Sequence, residues 1–151
     1  MKCNQCKFDG NCLIIEDKNS KSYGGAIWII LSSIDYDDCT FVNNSASTSF
    51  TGNDASIANG GCIFYEESND HINNCIFQNS SCTINTNSDS IIAYANGAAI
   101  YFSKSIIDVN HCSFIRNECS STGPKSNCFE GTIYLQRSIG TFTNFTFKRV
   151  D

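Results

Sequence analysis

The chain lacks several features by which common classes of protein are identified from sequence. No apolar run approaches the roughly 20 residues that span a bilayer, so we expect no insertion of this segment into a membrane. Basic residues form no cluster and the net charge is −5, so a nucleic-acid partner is not expected either. Apolar residues rarely recur at intervals of three and four, and helices are therefore not predicted.

The N-terminal sequence, MKCNQCKFDGNC, has an early lysine but lacks the apolar region of a secretory signal. What the chain does contain is 41% hydrophobic and 12% aromatic residues, which is enough for a packed core. We therefore expect one ordered domain, 1–151.

One segment recurs four times between Gly24 and the last residue, and the copies align with one another without a gap. The copies span 24–46, 60–82, 97–119 and 130–151. A period of 33 to 37 residues is typical of a solenoid, in which one supersecondary unit stacks on copies of itself. A partial copy, 1–12, precedes the four. Because solenoids need terminal caps and neither end offers one, we expect a module of a longer solenoid.

Each copy has the residue pattern of strands. A β-branched and aromatic run follows glycine or alanine near its start, and a second apolar stretch comes next. A polar residue of a type that tolerates a left-handed backbone then predicts a bend. These bend residues are Asp38, Asn74, His111 and Asn144. The connectors 47–59, 83–96 and 120–129 are rich in Ser, Thr, Asn and Gly, and we predict surface loops there.

After the bend, a cysteine and a phenylalanine two positions apart point to the same face of a strand. Stacked copies, about 4.8 Å apart, would place like residues one above another in the interior. The predicted ladders consist of Cys6, Cys39, Cys75 and Cys112, of Phe8, Phe41, Phe77, Phe114 and Phe147, and of Ile27, Ile63, Ile100 and Ile133. Tyr65, Tyr94 and Phe129 lie outside these ladders and are expected at the surface.

Two motifs recur in fixed order within the copies. Gly-Gly-Ala-Ile stands at 24–27 and is echoed in the other copies, and Phe-x-x-Asn stands at 41–44 and 114–117. Together they resemble the repeat of the chlamydial polymorphic membrane proteins. The resemblance implies an all-β fold, a right-handed parallel β-helix of about four coils plus a partial N-terminal coil, with no catalytic residue to carry over. It favours a cell-surface or extracellular location, whereas the missing signal leaves a cytoplasmic location open.

The ten cysteines permit two interpretations. In the last copy Phe145 replaces the cysteine of the ladder, which indicates that these thiols are small buried hydrophobes. An even count is also typical of disulfides in extracellular domains, and the pair best placed for a bridge is Cys82 and Cys119. Cys3-x-x-Cys6 has the spacing of a zinc knuckle, but no second pair follows, so we expect no metal and no cofactor.

Asp35, His71 and Asp108 are the candidates for catalysis. They hold one outward repeat position, so stacking would align them in a column able to transfer a proton or bind a cation. A polar ladder on a solvated face is the favoured alternative, because no nucleophile or oxyanion site is identifiable beside them.

The sequence favours a non-catalytic repeat module, not an enzyme, that presents an extended surface for adhesion or protein assembly. Its expected partners are a protein or a glycan at that surface, or further coils of the same solenoid. Two alternatives stay open: an intracellular architectural scaffold, and a carbohydrate-active enzyme of the polysaccharide lyase or hydrolase kind. A groove around Asp35, His71 and Asp108 with a neighbouring basic residue would favour the enzyme.

Overall fold

Parallel strands stack coil upon coil through the part of the chain that the structure describes, residues 1–16, 21–50, 56–87, 92–129 and 131–149. The structure is a computed structural model. These ranges contain 22 strands and no helix, and hence no helix that could cross a membrane. The predicted all-β solenoid, a parallel β-helix of about four coils, is confirmed.

The strands form five sheets that run along the solenoid axis, one strand per coil. The first sheet contains β1 (Lys2–Asn4), β6 (Asp35–Asp37), β11 (Asn69–Asn73), β16 (Ile106–Asn110) and β21 (Ile139–Thr143). The second contains β2 (Lys7–Asp9), β7 (Thr40–Val42), β12 (Ile76–Gln78), β17 (Ser113–Ile115) and β22 (Thr146–Lys148). The third contains β3 (Cys12–Ile15), β8 (Ser45–Phe50), β13 (Ser81–Thr86) and β18 (Glu118–Thr122). The fourth contains β4 (Lys21–Tyr23), β9 (Ile57–Asn59), β14 (Ala93–Asn96) and β19 (Ser126–Phe129), and the fifth contains β5 (Ile27–Ile30), β10 (Ile63–Glu66), β15 (Ile100–Ser103) and β20 (Ile133–Gln136).

Equivalent residues of successive copies lie in register. The four reference isoleucines pair along the fifth sheet. The phenylalanines pair along the second sheet, and neighbouring rings of that column have centroids 4.7 to 5.3 Å apart. Since like residues meet at every step, a good packing partner in one copy is a good partner in the next.

The bend after the first sheet requires a left-handed backbone in each copy. Its residues have φ angles between +50° and +53° and are Gln5, Asp38, Asn74, His111 and Asn144. Asparagine, aspartate and histidine are the non-glycine residues most often found in this region, so the prediction from residue type is confirmed. The left-handed backbone is therefore sufficient to explain a histidine at position 111.

Buried residues of the first, second and fifth sheets enclose the main core. The thiols of Cys39, Cys75 and Cys112 lie in it beside the phenylalanine column. Tyr65 also lies in this core and is fully buried, which corrects the expectation that it is a surface residue. Its column in the fifth sheet contains Ile29 and Phe102, both buried. The inward position therefore requires a large side chain, and tyrosine meets this requirement although its hydroxyl is buried.

A second, narrow core lies between the third and fourth sheets, where small side chains such as Ala58, Ala93 and Ala95 pack with Cys82 and Ile84. We call this part of the cross-section the narrow arm. It occupies much of the chain that we expected to be surface loops, since β9, β14 and β19 lie within the three connectors and β8, β13 and β18 extend into them. The expectation was wrong because Ser, Thr and Ala are the residues that fit between two closely spaced sheets.

The asparagine of the Phe-x-x-Asn motif joins neighbouring coils. The Asn44 amide nitrogen donates to the Phe8 carbonyl (3.0 Å), and the Asn44 amide oxygen accepts the backbone N–H of Asn11 (3.1 Å), which lies in the same coil as Phe8. Asn117 makes the same two bonds. Ser80 holds the position between them, and in that copy Cys62, whose thiol lies beside Asn44 and Ser80, replaces the usual alanine. The larger thiol thus offsets the volume lost by the shorter serine.

Gly61 is expected to tolerate no side chain, because an added Cβ would overlap with the carbonyl oxygens of Ala98 and Ser81. Gly131 holds the same repeat position in the last copy, and a Cβ there would meet no atom of the described residues within 4 Å. We predict that Gly61→Ala lowers the free energy of unfolding by about 1–3 kcal/mol, and that Gly131→Ala changes it by less than about 0.5 kcal/mol. Urea denaturation measures both; equal losses would contradict the close approach of coils at Gly61.

Candidate functional site

Asp35, His71 and Asp108 do form an outward column on the first sheet. His71 pairs with Asp108 in register, and its Nδ1 lies 3.7 Å from the Asp108 carboxylate. Lys2 pairs with Asp35 at the start of the column, but its ammonium contacts Asp37 at 3.4 Å. Both members of the histidine pair are more than half exposed, so their attraction is screened by water. The column has the contacts of a solvated polar ladder.

The cysteines pair differently from the expected bridge between Cys82 and Cys119. These two residues are neighbours along the third sheet, but Cys119 is joined to Cys128 across the narrow arm, and Cys82 is a free buried thiol that donates to the Ala58 carbonyl (3.0 Å). The correct partner was missed because Cys128 was assigned to a loop. A second disulfide joins Cys3 and Cys6.

A concavity of the solenoid flank lies between the fourth and fifth sheets, and we call it the aromatic cleft. It has a volume of about 560 Å³. From the fifth sheet it is lined by Phe64, Glu66, Tyr101, Ser103, Tyr134 and Gln136. From the fourth sheet it is lined by Tyr23, Ile57, Asn59, Tyr94, Asn96 and Phe129.

The cleft is formed by side chains that point away from the core. Ile63 and Tyr65 of β10 face the main core, so Phe64 and Glu66 face outward, yet Phe64 is only 4% exposed. Tyr101, one coil further, is also 4% exposed. Outward residues become this buried only where two sheets meet at a concave angle, so the narrow arm and the fifth sheet are the two walls of a groove.

Glycine makes this concave corner possible. The fourth sheet ends at Tyr23 in the first full coil and the fifth begins at Ile27, so the chain turns within three residues. Gly24, Gly60 and Gly97 have φ angles of +62°, +65° and +64° at this turn. The Gly-Gly-Ala-Ile motif is therefore the local cause of the cleft.

Aromatic rings form the floor and rim of the cleft. Phe64, Tyr101 and Tyr134 stack along the axis with centroids 5.0 and 5.2 Å apart, so their edges line the floor. Trp28 adjoins Phe64 at one end of this stack and is 54% exposed. Phe129, 45% exposed, packs on Tyr94 on the opposite wall. The two exposed rings offer apolar surface to solvent at the rim.

Polar groups of the cleft are fixed but incompletely paired. Asn96 donates from its amide nitrogen to the Asn59 amide oxygen (2.8 Å), while its own amide oxygen is buried without a hydrogen-bond partner among the described residues. Tyr101 donates to the Gln136 side-chain oxygen (2.7 Å), and burial raises the pKa of its hydroxyl, which therefore stays a donor at physiological pH. Glu66 is the charged residue of the lining.

Sequence reasoning missed the cleft, although it noted Tyr94 and Phe129. The sequence did contain a signal, because small and large side chains alternate in this segment: Tyr94 and Asn96, separated by one alanine, point to the same side of a strand. It was obscured because alanine and serine on the inward side gave the segment the composition of a loop.

An acidic residue is buried in the main core. Asp70 pairs in register with Ile107, and its side chain is fully buried. One carboxylate oxygen accepts the Ile34 backbone N–H (2.6 Å), and the other has no partner among the described residues. Burial raises the pKa of the Asp70 carboxyl to about 6, and the bond from Ile34 opposes this increase.

Comparisons of the chain with protein-family models, with curated proteins and with solved structures returned no match. The fold and the cleft define the class of protein: a parallel β-solenoid with an outward-facing aromatic groove. The resemblance to the chlamydial polymorphic membrane proteins rests on the repeat motifs alone.

Proposed function

We propose that the protein is a non-catalytic repeat module for adhesion, and that the aromatic cleft binds an extended, neutral glycan chain. The observation that carries the proposal is the cleft itself, where outward-facing aromatic and amide side chains are held in place and one buried amide oxygen, that of Asn96, has no donor among the described residues. A buried polar atom without a partner is uncommon in a folded protein, and a ligand hydroxyl would satisfy it.

The periodicity of the cleft favours an extended ligand. Successive coils repeat the lining about every 4.8 Å along the axis. Trp28 stands three coils before Phe129, so the two exposed rings are separated along the axis by about 14 Å. A chain of about three sugar rings lying parallel to the axis would reach from one ring to the other.

The chemistry of the lining favours a sugar over an apolar peptide. Aromatic rings pack against the C–H faces of sugars, while amide, hydroxyl and carboxylate groups exchange hydrogen bonds with their hydroxyls. Glu66 is the charged residue of the lining and is negative, so an acidic glycan would be disfavoured. Glycoside hydrolysis normally uses two carboxyl groups, and a single carboxylate in the lining supports binding rather than cleavage.

Binding is tested by isothermal titration calorimetry of the whole chain with cellohexaose and with chitohexaose. We expect saturable binding of at least one of them, and we expect Trp28→Ala and Phe129→Ala each to weaken it by about tenfold, which corresponds to about 1.4 kcal/mol. Both rings are about half exposed, so their removal should leave the fold intact.

Leu31→Ala is the matched control, because Leu31 is 72% exposed and belongs neither to the cleft lining nor to the aromatic rings that adjoin it. It should bind as the unaltered protein does. Absence of saturable binding to both oligosaccharides would overturn the glycan proposal, and equal weakening by Leu31→Ala would show that the cleft is not the binding site. Release of shorter oligosaccharides during the titration would favour the enzyme alternative instead.

A further inference from the structure

We propose that Cys3, Cys6 and Cys39 bind one thiophilic metal ion, of the Zn²⁺ type, once the disulfide between Cys3 and Cys6 has been reduced. The three sulfur atoms lie within 4.8 Å of one another, and the Cys39 sulfur is 4.0 Å from that of Cys3. Three thiolates bound to Zn²⁺ at about 2.3 Å are about 3.8 Å apart in tetrahedral geometry. The side chains therefore need only small movements to enclose an ion.

The sequence spacing alone did not predict this site, because a zinc knuckle normally requires a second pair of cysteines nearby in sequence. The solenoid supplies the third ligand from the next coil instead. Cys6 and Cys39 are successive members of the cysteine column, and Cys3 pairs with Tyr36 in register. Cys3 thus replaces a large inward side chain, and its thiol lies beside two others.

In the rest of the described chain, the cysteine column forms no further cluster of three thiols. Cys75 and Cys112 hold equivalent positions, but their neighbours at the Cys3 position are Ile72 and Val109. These two cysteines are buried free thiols in the same kind of packing. They lack the third sulfur of the cluster, and Cys75, which is buried like Cys39, is its matched control.

The surroundings leave one coordination position open. Cys3 and Cys6 are partly exposed, so an ion and a water ligand have access from solvent, whereas Cys39 is buried behind them. Soft sulfur ligands select Zn²⁺ or Cu⁺ over hard cations such as Mg²⁺ and Ca²⁺.

A dithiol serves as the reductant of the Cys3–Cys6 disulfide. The reductant gives two electrons and two protons to the Cys3–Cys6 disulfide and is itself oxidised to a disulfide, which leaves three thiols in the cluster. Binding of a divalent ion then releases up to three protons, one from each thiol, as three metal–sulfur bonds form. Metal binding at this site is therefore conditional on the redox state of Cys3 and Cys6.

The test is titration of the reduced whole chain with Co²⁺ under anaerobic conditions, followed by displacement with Zn²⁺. We expect one equivalent to bind with the thiolate-to-cobalt charge-transfer bands and the visible bands of tetrahedral Co²⁺. Cys39→Ser should weaken binding at least tenfold, and Cys75→Ser should not change it. Both substitutions bury a hydroxyl in the same column, so any general loss of folding would appear in both and is monitored by circular dichroism.

A second readout counts the thiols that iodoacetamide modifies. Zn²⁺ should protect Cys3 and Cys6, the partly exposed thiols of the cluster, in the reduced protein, and protein with the Cys3–Cys6 disulfide intact should bind no Co²⁺. Equal Co²⁺ affinity of the Cys39→Ser and Cys75→Ser variants, or spectra without sulfur-to-metal bands, would overturn the proposal.

Discussion

Replacing Phe77 by alanine is expected to lower the free energy of unfolding by about 3–5 kcal/mol, the range found for loss of a buried phenylalanine. Phe77 is fully buried and stacks on Phe41 at 4.7 Å and on Phe114 at 5.0 Å, with its ring nearly parallel to both. The substitution leaves a cavity between two rings whose positions are fixed by the strands on either side. Neighbouring coils therefore have little freedom to close it.

Phe147 provides the control for this prediction. It belongs to the same column, but it contacts a column ring on one side and is 54% exposed. Phe147→Ala should lower the free energy of unfolding by about 1 kcal/mol or less. Denaturant unfolding followed by circular dichroism compares the two variants, and losses of similar size would contradict the stacked column as a main source of stability.

Asp70→Asn is expected to raise the free energy of unfolding by about 2–3 kcal/mol at about pH 7.5. Asp70 is fully buried, and one of its carboxylate oxygens has no hydrogen-bond partner among the described residues. Asparagine keeps an oxygen that accepts the Ile34 backbone N–H and removes the buried charge. The register pairs this position with Ile107, so the equivalent position of the next coil is filled by an uncharged residue.

The gain from Asp70→Asn should disappear in acid. Burial raises the pKa of Asp70 from its ordinary value of 3.8 to about 6, so between these values the folded protein binds a proton that the unfolded chain does not. Stability contributed by the neutral carboxyl is therefore fully present below about pH 4 and is lost as the pH rises through about 6. Urea denaturation at several pH values measures the difference between variant and unaltered protein, which cancels the titration of other groups.

Asp108→Asn removes a carboxylate from the exposed face of the same sheet and serves as the control. Its effect should stay within about 0.5 kcal/mol at both ends of the pH range. A gain for Asp70→Asn that is the same at about pH 4 and about pH 7.5 would show that the Asp70 carboxyl is not charged within the folded core.

The main core could be predicted from the sequence because every copy repeats the same inward residues. Isoleucine at 27, 63, 100 and 133 and phenylalanine at 41, 77 and 114 mark strands whose alignment follows from the repeat itself. The polar residues at the bend gave a second, independent signal, since a left-handed backbone restricts the choice of residue.

The narrow arm and the aromatic cleft were not predicted, because they depend on how distant sheets approach one another. Ala95 and Cys128 are equivalent residues on neighbouring strands, yet nothing local distinguishes a serine-rich and alanine-rich strand from a loop. Tyr65 was misplaced for a related reason, since it lies outside the predicted ladders, whereas its column in the fifth sheet contains large buried side chains. The disulfide of Cys119 likewise depends on the distance across the arm.

The sequence by itself determined the period, the register and the interior columns, because these follow from the pairing of identical copies along one axis. Tertiary structure alone decided what lies around that axis: which outward residues a concave corner buries, and which cysteines meet. The physical reason is that the repeat fixes contacts between coils, whereas contacts within a coil depend on the angles between its sheets. Those angles are set by short turns, such as the one at Gly24, whose effect appears only once all five sheets are in place.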